Sequence, residues 1–189
     1  MYHSLLKTIK LHVVLIAIDD ALASKARQNP CAHCGGTLHQ ANYPRSPLGL
    51  PEPCRNYYQK RYSFCCSDCR KRITIPSVRF FGRCRFPAAV IVLISALMSD
   101  NSKCGYNKVR RFFAITISLR TWVRWRRWWK ECFSNTVFWK QAKAKLPPSN
   151  HDGPYPRQLF LNYPGRLNKQ LEMVLQFLAP LTAGVYRAV

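Results

Sequence analysis

A chain of 189 residues with 48% hydrophobic and 13% aromatic content is long enough to bury a core, which excludes wholesale disorder. Thirty Lys and Arg stand against eight Asp and Glu, and the resulting charge of +22 exceeds what solubility requires and implies a polyanionic partner. The nine cysteines are an odd number, which excludes a complete set of internal disulfides and fits a reducing cytoplasm.

The charge is uneven. Residues 55–130 carry 18 Lys and Arg against Asp68 and Asp100 alone. Nucleic acid is the first partner that such a patch suggests, because neutralised phosphates release counterions; an anionic membrane surface is the second. At the N-terminus, Lys7 and Lys10 precede the apolar run Leu11–Ile18, and Ala21-Leu22-Ala23 has the form of an export cleavage site. Asp19 and Asp20 break that pattern, so residues 1–30 are predicted to hold an internal helix with a buried face.

"CAHCGG" then supplies Cys31-x2-Cys34 followed by two glycines, a turn whose amides can face thiolates because Gly tolerates positive φ. Pro44, Pro47, Pro51 and Pro53 predict an extended loop over residues 43–54. A second pair, Cys66-x2-Cys69, follows in "SFCCSDCRKR", 31 residues after the first. Four thiolates from two such turns suit a closed tetrahedral zinc site, structural in role because no coordination position stays open. Cys65 competes with Cys66 for the third position, and Cys54, His33 and His39 are substitute ligands. Arg70, Lys71 and Arg72 would be held by the second turn where a phosphate backbone can reach them. Cys84, Cys104 and Cys132, isolated in sequence, are expected to act as small buried hydrophobes.

"PAAVIVLISALM" predicts a buried helix over 88–98, too short to span a bilayer. Two helices, 106–113 and 118–133, are then predicted about a turn at 114–117. All five tryptophans fall between Trp122 and Trp139. At 100° per residue, Trp122, Trp125 and Trp129 share one face, and Arg120, Arg124 and Arg127 line the opposite one. With Ser118 as cap, Arg120, Thr121 and Arg124 lie near the leading end, as in the recognition helix of a helix-turn-helix. A proline-rich linker, 147–156, precedes a tail in which Leu167, Leu171, Val174, Leu175 and Leu178 recur at helical spacing until Pro180.

This order of parts, "CAHCGG", "CCSDCRKRITIPSVRFFGR", an apolar helix and "RTWVRWRRWWK", resembles the zinc-ribbon plus helix-turn-helix front end of insertion-sequence transposases and their small relatives. "CSDCRKRIT" is similar to the second knuckle of those proteins. The resemblance implies sequence-directed binding of double-stranded DNA, with Cys31, Cys34, Cys66 and Cys69 as zinc ligands. Arg120, Thr121, Arg124 and Arg127 would contact DNA. Complete transposases add three carboxylates that hold two Mg²⁺ ions. Here only Asp152 and Glu172 follow Glu131, so no catalysis is inferred.

The expected fold is mainly α with a small β zinc ribbon. The ribbon module would cover 31–86, a helix-turn-helix domain 87–146, and a linker with a C-terminal helix 147–189. The expected function is that of a DNA-binding accessory, end-recognition or regulatory subunit of a mobile element, cytoplasmic and nucleoid-associated, without a membrane partner. A catalytic transposase subunit and a second copy joined through the C-terminal helix are the expected protein partners. The competing readings are a degenerate or split transposase, a zinc-containing RNA-binding protein, and a membrane-active cationic protein.

Overall fold

The computed structural model describes residues 2–99, 115–146 and 155–183. The helix predicted over 106–113, Cys104 and most of the linker 147–156 lie outside them. The architecture is mainly helical with a small antiparallel sheet. Two helices open the chain, α1 (Tyr2–Leu6) and α2 (Ile9–Arg27). Strands β1 (Leu38–Gln40), β4 (Ser63–Cys66) and β5 (Arg72–Thr74) form an antiparallel sheet in the order β1-β4-β5. A separate two-stranded ladder joins β2 (Tyr43–Pro44) to β3 (Lys60–Arg61).

The buried helix predicted over 88–98 is α3 (Ala88–Ser99), apolar on every side. Val90, Val92, Leu93 and Ile94 are fully buried. Around α3 pack α1, α4 (Leu119–Arg127), α6 (Arg157–Leu161) and α7 (Leu167–Thr182), while α5 (Val137–Ala142) adds Phe138 to the same core. The N-terminal helices, the tryptophan helix and the C-terminal tail therefore share one core. The apolar stripe Leu171, Val174, Leu175 and Leu178 is consumed within it. No helix among the described residues is long and apolar enough to cross a membrane.

Three local expectations are corrected. The proline-rich stretch 43–54 is not simply extended: Tyr43–Pro44 pairs with β3, and a 3₁₀ helix runs from Glu52 to Tyr58. Pro53 fits its first turn, where a missing N–H costs nothing, and Cys54 and Tyr58 are buried with Leu50 and Phe80. The helix predicted over 118–133 is α-helical only to Arg127. Trp128–Cys132 form a π turn and Phe133–Asn135 a 3₁₀ turn, a change of pitch that sets Trp128 and Trp129 both against Phe133, with ring centroids 5.7 and 4.9 Å away. Finally, Pro180 does not end the tail helix. It sits inside α7, which continues to Thr182, whose hydroxyl accepts from the Ser77 amide at 2.8 Å.

The sheet module is joined to the helices by a buried ion pair. Asp19 of α2 accepts from Arg79 Nε and from the Ser77 hydroxyl, both at 2.6 Å, and from the Val78 amide at 2.8 Å. Both side chains are nearly inaccessible. Burial pushes the Asp19 carboxyl up, and the Arg79 guanidinium opposes that shift. Two turns earlier on α2, His12 donates from Nε2 to the Leu6 carbonyl at 2.8 Å and accepts at Nδ1 from the Tyr58 hydroxyl at 2.9 Å. That arrangement requires a neutral ring, and burial lowers its pKa.

Two outcomes follow for stability. Asp19→Ala leaves a buried guanidinium without a counter-charge and should cost about 3–5 kcal/mol in urea unfolding, whereas Asp19→Leu with Arg79→Met should lose less. His12 binds its proton less readily when folded than when unfolded, so its contribution is complete above about pH 6.5 and declines as the pH falls below it. Urea midpoints measured from pH 7.5 to 5.5 should fall less steeply for His12→Gln than for the wild type.

Candidate metal centre and cationic surfaces

The two CxxC segments fold into near-identical turns. In the first, the Cys31 amide donates to the Gly36 carbonyl at 2.9 Å; in the second, the Cys66 amide donates to the Lys71 carbonyl at 3.0 Å. The residue after the second cysteine takes positive φ in both, +77° at Gly35 and +58° at Arg70. Gly36 is required on a different ground. A Cβ there would meet Cys66 Sγ at 2.9 Å and press on the Asp68 carboxylate.

Register completes the site. β1 and β4 pair with Leu38 opposite Cys66, which sets the second turn beside the first. Alternation along β4 directs Phe64 and Cys66 into a small core with Cys31, Leu38 and Ile75, while Cys65 falls on the other face. The sulfurs of Cys31, Cys34, Cys66 and Cys69 lie within 4.8 Å of one another. Cys34 and Cys66 are 3.4 Å apart and Cys31 and Cys69 3.7 Å, close to the roughly 3.8 Å edge of a tetrahedron with 2.3 Å metal–sulfur bonds. The described cysteines are all free thiols.

The choice left open between Cys65 and Cys66 is thus decided for Cys66. Cys65 instead donates to the Arg70 carbonyl at 3.5 Å. Cys54 is buried in a different cluster, and His33 accepts from Lys71 Nζ at 3.5 Å. Amides of Cys69 and Asp68 bring the Cys66 thiol down to about 7. The Lys71 amide would lower Cys69 too, but burial and its three thiol neighbours push it up. Four thiolates this close need a divalent cation to ionise together, and an all-sulfur tetrahedral set suits zinc.

The cations beside the site are exposed, although two are engaged: Lys71 with His33, and Arg72 stacked 4.4 Å over the Tyr43 ring. On α4 and the π turn that follows it the predicted segregation holds. Trp122, Trp125 and Trp129 are buried; Arg120, Arg124 and Arg127 are exposed, and Thr121 is half-buried. Ser118 caps the helix by accepting from the Thr121 amide at 3.2 Å. Arg126, which the face count omitted, is exposed as well. Among the described residues Glu131 pairs with Arg127, at 3.6 Å in an exposed pair, a contact worth little.

Metal analysis of protein purified under reducing conditions should find one zinc per chain, lost in Cys66→Ser and retained in Cys65→Ser. Arg70→Gly should keep the metal and raise stability by about 1 kcal/mol, because it removes the side chain from a left-handed position.

Compared with known proteins, the chain matches no protein-family model, no curated protein and no solved structure.

Proposed function

We propose that this protein binds double-stranded DNA through the arginine face of α4, with a zinc-held module adding phosphate contacts from Arg70, Lys71 and Arg72. One observation carries the reading: a capped helix, anchored by the buried Trp122 and Trp125, exposes Arg120, Arg124, Arg126 and Arg127, and among the described residues Glu131 alone pairs with them, weakly. A helix so anchored presents its guanidinium groups at fixed spacing, which base-edge recognition in a major groove requires. The zinc would act structurally, fixing the turn that carries the second cationic group. The transposase likeness adds the proposal that the DNA is the end or regulatory site of a mobile element, with a catalytic subunit supplied by another chain.

Duplex affinity should fall steeply with salt, because many phosphates are neutralised. In selections from random duplexes, Arg124→Ala should relax preference at one or two base pairs at a cost of about 1–3 kcal/mol, while Lys71→Ala should weaken all duplexes alike and reduce the salt slope by about one. Enrichment of no motif by the wild type would remove base reading from α4. Tighter binding to single-stranded RNA or to anionic vesicles than to any duplex would overturn the proposal.

A further inference from the structure

Away from the cysteines and α4, the β2–β3 ladder borders a recess of about 700 Å³. Its walls include Tyr43, Arg45, Arg61, Thr74 and Arg83, and no carboxylate lines it among the described residues. Surface arginines are ordinarily solvated and need no partner, but Arg61 is only 4% exposed. Its NH1 donates to the Gly82 carbonyl at 2.7 Å and its NH2 to the Ile75 and Thr182 carbonyls, while Nε is buried without a partner. Carbonyls satisfy donors without cancelling charge. The buried acid nearest in role, Asp19, is committed to Arg79.

Arg61 is thus a buried cation with no salt bridge of its own among the described residues, and burial followed by the nearby Arg45 brings its pKa down to about 10 against the pull of Asp19. Arg45 is itself fixed, donating to the Cys84 carbonyl at 2.6 Å and lying 5.4 Å from the Phe80 ring centre. Arg83 is exposed at the rim. Like-charged walls around a concave, low-dielectric space focus a positive field into it. The volume lies in the range of small-ligand sites, well beyond a bare phosphate, and Tyr43 supplies an aromatic wall held under Arg72.

We propose that this recess is a phosphate-monoester site of nucleotide size, with Arg45, Arg61 and Arg83 supplying the charge and Tyr43 the aromatic surface. A phosphorylated strand end has that chemistry: a terminal monoester carries nearly two negative charges, whereas an internal diester carries one. Arg83 reaches the anion from the rim, and Arg61 acts from behind as a fixed charge. The inference stands on the geometry of the recess and does not depend on α4 reading duplex DNA.

Calorimetric titration of the zinc-loaded full chain with a 5′-phosphorylated thymidine dinucleotide, the unphosphorylated dinucleotide and inorganic phosphate tests it. The phosphorylated dinucleotide should bind at least tenfold tighter than either of the others. Arg83→Glu, at an exposed position that leaves the fold intact, should weaken it at least tenfold, and Arg45→Ala should weaken it as well. Lys140→Ala, which removes an exposed cation that does not line the recess, should leave it unchanged, which separates a built site from general charge attraction. Equal binding of the two dinucleotides, or indifference to Arg83→Glu, would overturn the monoester site; inorganic phosphate binding as tightly as the phosphorylated dinucleotide would overturn its nucleotide size.

Discussion

Asp19 is the point at which the small sheet module is fastened to the helices. Its carboxylate takes hydrogen bonds from Ser77, Val78 and Arg79, the segment leading from β5 into α3. Arg79 in turn donates to the carbonyls of Tyr57 and Lys60, on the 3₁₀ turn and β3, while the Ser77 amide holds Thr182 at the end of α7. One buried charge on α2 therefore collects strands, turn and tail. Such a pair is a weak source of net stability, since desolvation cancels much of the attraction, but its loss is costly because each partner strands the other. Its value here is positional. It fixes the module that carries the cysteines relative to the helix that carries the arginines.

The same pair changes how the charge excess is read. Counted along the sequence, residues 55–130 look like a continuous cationic surface, yet Arg61 and Arg79 are buried. Arg79 is neutralised by an acid 60 positions away, outside that window. The exposed cations among the described residues include those of the knuckle, the α4 face and Arg83 at the rim of the Arg61 recess. Cys84 marks where two of these meet: burial raises its thiol, and both Arg124 and Arg45 pull it back.

Local rules made much of this legible. The cysteine spacing identified all four members of the cluster, because two CxxC turns carry their own geometry, and helical periodicity separated tryptophans from arginines on α4. The choice of Cys66 over Cys65 needed the register of β4 against β1, which sequence does not state. Asp19 was visible only as a residue that spoiled an export signal; its partner is supplied by tertiary structure. The π turn at Trp128–Cys132 was hidden for a related reason. A 100° wheel assumes constant pitch, and packing Trp128, Trp129 and Trp139 around Phe133 breaks that assumption. Pro180 misled because the rule for helix ends concerns a lost hydrogen bond, and the buried face of α7, with Thr182 held from outside, outweighs one bond.

The correspondence between the two knuckles leaves one asymmetry to explain. Where the first turn has Gly35 at positive φ, the second has Arg70, a residue that pays about 1–2 kcal/mol for that conformation. Glycine would serve the backbone better; what the arginine adds at that position is a positive charge. A divalent ion held by four thiolates would leave the cluster with two net negative charges in a chain that otherwise repels itself with +22. Arg70, Lys71 and Arg72 stand next to those thiolates, where a cation favours the ionised form and the cluster in turn offsets their mutual repulsion. With such an ion bound, the cluster and the cations at Arg70, Lys71 and Arg72 would be complementary charges, and the left-handed backbone at Arg70 is the cost of placing one of them there.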